Sequence, residues 1–102
     1  MLNQVIPVVI VEDEKRSVAI LEWIIKTLFP ARLELVGVFH NVPDAVAGIR
    51  RLQPGLVLLD VQLDGDDCFS LLEQLQPVNF EIIITTAHNQ YMLKAVHWSA
   101  ID

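Results

Sequence analysis

Val8-Val9-Ile10-Val11-Glu12-Asp13-Glu14 passes from unbroken apolar to unbroken acidic side chains within seven residues. A continuous β-branched run suits a strand buried on both faces, as in a parallel sheet, better than a strand with one wet face. Leu56-Val57-Leu58-Leu59-Asp60 repeats the pattern, an apolar run ending on a carboxylate. With the first strand taken as Val5–Val11, the runs Leu33–Phe39, Leu56–Leu59 and Glu81–Thr85 complete four predicted strands. Stretches of helical period separate them. Val18, Leu21, Ile25 and Leu28 mark a first helix closed by Pro30, and Pro43 opens a second that ends before Gln53-Pro54-Gly55. Phe69, Leu72 and Leu75 stripe a third helix, stopped by Pro77. A fourth is predicted from about Asn89 to Trp98, with Tyr91, Ala95 and Trp98 on one stripe. Four βα units in series predict an α/β fold built on a parallel sheet. Ala100-Ile101-Asp102 reads as the start of a fifth strand, so a domain incomplete at its C-terminal end is expected.

The 102 residues hold one domain, and Leu, Ile, Val and Phe supply 41 of them, which excludes intrinsic disorder. Seven basic against thirteen acidic residues leave a net charge of −6, so phosphates would be repelled and a nucleic-acid-binding surface on this segment is excluded. The single cysteine, Cys68, cannot form an internal disulfide, and no Cys/His spacing suits zinc. The Val5–Val11 run follows no basic segment and is too short to span a bilayer. A cytoplasmic setting without membrane contact is expected.

Open parallel sheets bind ligands beyond the carboxyl ends of their strands. Seven of the thirteen acids, Glu12, Asp13, Glu14, Asp60, Asp64, Asp66 and Asp67, fall just past the first and third strands. Taken singly, Asp13 reads as the cap of the first helix with Glu14 complementing its dipole, and Asp67 as the cap of the third. Asp60 alone reads as a turn residue, and Thr85 and Thr86 as strand formers. Together they say more. If the first and third strands are neighbours, Glu12, Asp13 and Asp60 converge, and like charges held together need compensation. Lys15 and Arg16 already belong to the first helix. A divalent cation compensates naturally, and an all-oxygen donor set selects a hard ion, Mg²⁺ or Mn²⁺. Beside such an ion the Asp60 carboxylate can attack a phosphoryl group to form an aspartyl phosphate, with the Thr86 hydroxyl donating to a transferring oxygen.

These motifs resemble those of a two-component response-regulator receiver domain. Val8 to Glu14 is similar to the family's first strand and acidic pair, Leu56 to Leu63 to its phospho-acceptor strand, and Ile82-Ile83-Ile84-Thr85-Thr86-Ala87 to its fourth strand and switch hydroxyl. The stretch His88 to Ala95, with Ala100-Ile101-Asp102, resembles the subgroup that carries a LytTR-type DNA-binding domain after the receiver. The resemblance implies a flavodoxin-like, doubly wound parallel sheet of strand order 2-1-3-4-5, with strand 5 and helix 5 largely missing. It implies that a sensor histidine kinase phosphorylates Asp60, and that Mg²⁺ is held by Asp13, Asp60, Glu12 (directly or through water) and the Gln62 backbone carbonyl. Thr86 and the Ala87 N–H would contact the phosphoryl group, and a C-terminal DNA-binding domain would follow to control transcription. The family's lysine and switch aromatic on strand 5 would lie beyond Asp102. Asp64 stands where proline is common and Cys68 where glycine is common, with no loss of a reacting group.

Rival readings are weaker. A receiver-like interaction module independent of phosphorylation would favour a degenerate acidic pair, and this pair is intact. A phosphatase of the haloacid dehalogenase type wants a second aspartate where Gln62 stands. A flavodoxin-like nucleotide carrier would not place Glu12-Asp13-Glu14 against a phosphate. His40, His88 and His97 read as loop or helix-surface residues, Arg50-Arg51 as the solvated end of the second helix, and Tyr91 and Trp98 as packing residues. Right-handed crossovers should put the first helix on one face of the sheet and the others on the opposite face. Ile20, Trp23 and Ile24 then extend the first helix's apolar surface beyond its stripe, and the fourth strand becomes an edge. Self-association through that edge or the fourth helix is expected.

Overall fold

The computed structural model describes residues 4–63 and 66–85. The strands β1 (Ile6–Val11), β2 (Leu33–Phe39), β3 (Leu56–Leu59) and β6 (Glu81–Ile84) form one parallel sheet in the order β2-β1-β3-β6. This is the expected order of the first four strands. The predicted fourth helix and fifth strand fall outside the described residues. Two short strands absent from the sequence reading, β4 (Gln62–Leu63) and β5 (Asp66–Asp67), pair antiparallel just after Asp60.

Alternation along β1 explains the two layers. Val8 and Ile10 join Leu58 and Ile25 on the face covered by helix α1 (Lys15–Leu28). Val9 and Val11 join Val57 and Leu59 on the other face, under Val42, Ala45, Val46 and Ile49 of α2 (Val42–Leu52) and Phe69, Leu71 and Leu72 of α3 (Cys68–Gln74). All four β1 residues are fully buried, which is why their run carries no polar residue. Pro7 is tolerated because β3 pairs with β1 only from Val8 onward, while the Pro7 carbonyl still accepts the Gly55 N–H at 2.9 Å.

The helix ends refine the expected boundaries. Asn41 caps α2 by accepting the Asp44 N–H at 2.9 Å, and Pro43 occupies its first turn. The α1 cap is Glu14, with no side-chain capping bond, so Asp13 is not the helix cap that its position alone suggested. Leu28 belongs to the first helix, as expected. It keeps the helical spacing of Val18, Leu21 and Ile25, yet it lies at the end of α1 and is 57% exposed. Ile20 and Trp23 are also exposed, as anticipated, and so is Ile83, whereas Ile24 is half-buried.

One irregularity in β2 decides how the site end of the sheet is built. Val8 pairs with Leu35 but Val9 pairs with Gly37, so Val36 is an extra residue in the strand. The bulge shifts the alternation by one position. Leu33, Leu35 and Val38 face the α1 layer, while Val36 and Phe39 face α2. Without it, Phe39 would share the side of Leu33 and Leu35. Its ring instead fills the space over Gly48 of α2, where an added Cβ would meet Phe39 ring carbons at 2.0 to 2.5 Å. An alanine in a helix interior ordinarily gains up to about 1 kcal/mol over glycine. Here Gly48→Ala should instead lower stability by roughly 1–3 kcal/mol, because the ring must leave its place in a packed layer. Urea denaturation checks this, and a variant as stable as the parent contradicts the packing.

Candidate functional site

The β1–β3 ladder continues one step past the strands. The Asp60 N–H donates to the Val11 carbonyl at 3.0 Å, so Asp60 and Glu12 emerge side by side at the carboxyl end of the sheet. On the other flank, the Glu12 N–H donates to the Phe39 carbonyl at 2.9 Å. The Thr85 N–H donates to the Leu59 carbonyl at 3.0 Å and brings the end of β6 alongside. One oxygen from each of Glu12, Asp13 and Asp60 lies within 4.8 Å of the other two. Three of the seven acids singled out in the sequence are thereby brought together.

Burial differs sharply within the trio. Glu12 is 4% exposed, Asp60 is half-buried and Asp13 is exposed. Burial pushes the Glu12 carboxyl up from its ordinary 4.5 to about 7. The Glu14 N–H, donating to Glu12 Oε2 at 3.2 Å, pulls the other way. The charge of Asp60, a hydrogen bond with it and the charge of Asp13 raise the value further, and no basic group among the described residues contributes. Glu14 itself stands apart from the trio, its Oε1 accepting the Ser17 hydroxyl at 3.4 Å.

The remaining predicted positions are placed in part. The Gln62 main chain lies in β4, and the Cys68 N–H closes this loop onto the Val61 carbonyl at 2.8 Å. Cys68 is fully buried at the start of α3. Thr86, Ala87, Asp64 and the carboxylates of Asp66 and Asp67 lie outside the described residues. Thr85 Oγ1 is buried and has no hydrogen-bond partner among the described residues. His40 is the residue that sequence reasoning missed. It is a loop residue as expected, but its Nδ1 lies 2.9 Å from the Glu12 carbonyl oxygen. Only its place immediately after β2 could have signalled this.

The raised Glu12 value has a definite sign in stability. Between about pH 4.5 and 7 the folded chain binds more protons at Glu12 than the unfolded chain, so this group's contribution falls as pH rises and levels off above about 7. The melting temperature of the metal-free parent minus that of Glu12→Gln should become more negative across that window. A difference independent of pH contradicts the burial of an ionisable Glu12.

Comparison with known proteins follows the same architecture. Residues 8–102 match the sequence profile of the response regulator receiver domain. An uncharacterized response regulatory protein of Vibrio cholerae is 31% identical over 104 residues, covering 100% of this chain and 40% of the relative. Sensory transduction protein LytT of Bacillus cereus is 29% identical over 97 residues, covering 93% of this chain and 39% of that protein. The chain thus spans at most 40% of the length of these two curated relatives. The response regulator domain of Thermotoga maritima CheB has the same fold, with a TM-score of 0.79 at 21% identity over 97% of this chain and 76% of that one. With the strand order, the acidic trio and a profile match over nearly its whole length in agreement, the chain belongs to the response regulator receiver domain family of two-component signalling systems.

Proposed function

We propose that this receiver domain accepts a phosphoryl group on Asp60 from a sensor histidine kinase, in a reaction that depends on a divalent cation held by Glu12, Asp13 and Asp60. The observation that carries the reading is the convergence of the three carboxylates within 4.8 Å at the ends of adjacent strands. Their chemistry fits a hard cation. All three donors are oxygens, and among the described residues the charges acting on the buried Glu12, those of Asp60 and Asp13, are negative. The Gln62 backbone carbonyl is assigned as a further ligand. When bound, Mg²⁺ (or Mn²⁺) offsets the charge spread over the transferring phosphoryl oxygens.

The chain's own groups do the rest. Asp60 projects from a strand end pinned by its N–H on Val11, and its carboxylate is the group assigned to attack phosphorus as the bond to the donor imidazole breaks. Thr86 and the Ala87 N–H are assigned to the phosphoryl oxygens. The added charge then biases a two-state equilibrium of the surface next to them. Output through a LytTR-type DNA-binding domain in the full-length protein is consistent with the likeness to LytT. No described helix is long and apolar enough to cross a membrane.

Two measurements test the reading. Mg²⁺ should raise the melting temperature of the parent chain by relieving repulsion in the trio, and Asp13→Asn should abolish that rise. An undiminished metal response in Asp13→Asn removes Asp13 from the ligand set. A chain incubated with a phosphorylated kinase or a small-molecule phosphodonor should take up one acid-labile phosphoryl group, and Asp60→Asn should take up none. Label recovered at another residue, with Asp60→Asn still labelled, refutes the acceptor.

A further inference from the structure

Glu12 is gripped through its main chain from two sides of one neighbouring segment. Its N–H donates to the Phe39 carbonyl at 2.9 Å, and its carbonyl oxygen lies 2.9 Å from Nδ1 of His40, the next residue along. The carbonyl can only accept, so the imidazole must carry its proton on Nδ1. The strand ladder has ended at this point, since β2 stops at Phe39 and Asn41 already caps α2. The ring nitrogen thus serves the acceptor where strand pairing gives out. The Phe39 ring packs over Gly48, which ties this segment to the α2 layer.

We propose that His40 is a positioning residue for the cation site: its Nδ1–H, held on the Glu12 carbonyl, fixes the peptide from which the buried Glu12 carboxylate reaches Asp13 and Asp60. This role rests on the cation-binding reading of the trio. Metal ligands must be held within about 0.5 Å of their working geometry, and the groups that orient them carry much of that precision. Glu12 needs such support because its carboxylate sits at the end of a flexible side chain. Among the described residues its one main-chain partner at the carboxylate is the Glu14 N–H, at 3.2 Å. A peptide free to rotate would move the carboxylate away from both Glu14 and the other two acids.

The experiment compares the parent chain with His40→Ala and with His40→Asn, whose amide NH₂ can take the place of the Nδ1–H. Long-range ¹⁵N–¹H spectra of the parent should show neutral His40 as the Nδ1–H tautomer. Amide exchange at Glu14, measured without metal, should be several-fold faster in His40→Ala while Ile25 and Val57 exchange as in the parent. Mg²⁺ titrations followed by amide shifts should give an affinity about three- to tenfold weaker in His40→Ala. His40→Asn should recover most of both effects. An Nε2–H ring in the parent overturns the proposal even if the alanine variant fails to fold. So does a folded His40→Ala that binds Mg²⁺ as tightly as the parent. A parent chain that takes up no Mg²⁺ overturns the cation reading as well, an outcome distinct from parent and variant binding equally.

Discussion

The hydrogen bond from the Asp60 N–H to the Val11 carbonyl makes the two central strands end level with one another. Parallel pairing alone brings β1 and β3 together, through Val8 to Val11 against Leu56 to Leu59. That last bond carries the register one residue further, past the apolar runs and into the acids. Three carboxylates are therefore forced into a space that their charges disfavour, and burial first, with the neighbouring acids adding to it, makes Glu12 hold its proton near neutrality. The apolar stretches contribute the stability that tolerates this. Val8, Val9, Ile10 and Val11 are buried under helices on both sides of the sheet. Function sits at the rim of a core that can bear local repulsion.

Much of this was legible in the sequence for identifiable reasons. Strands buried on both faces cannot carry polar residues, so Val8 to Val11 and Leu56 to Leu59 stand out as uninterrupted runs, and the acids that follow mark where burial stops. Pro43 and the Gln53-Pro54-Gly55 break bracket α2 because proline fits a first helical turn, and the left-handed Gln53 ends the helix ahead of Pro54. The convergence of Glu12, Asp13 and Asp60 followed from strand adjacency, a topological inference that no local pattern could supply.

The misreadings also have physical causes. Asp13 has the composition of a cap, but the helix begins one residue later than that reading needs, after Glu14. The bulge at Val36 reverses the sides on which Val38 and Phe39 fall, and strict alternation cannot reveal an inserted residue. The bond from His40 to Glu12 joins residues 28 apart and depends on that same strand end. The hairpin of Gln62–Leu63 with Asp66–Asp67 is too short to leave a hydrophobic pattern.

The burial of Glu12 has a consequence for the stoichiometry of binding. With its midpoint at about 7, the Glu12 carboxyl is roughly half protonated at neutral pH, and a cation needs it ionised. A cation held there as proposed would release protons on binding, more in mildly acidic than in alkaline solution. On the proposed cation-binding reading, cation and proton would compete for the buried acid. The placement of one acid inside the protein would thus couple the proposed cation site to pH.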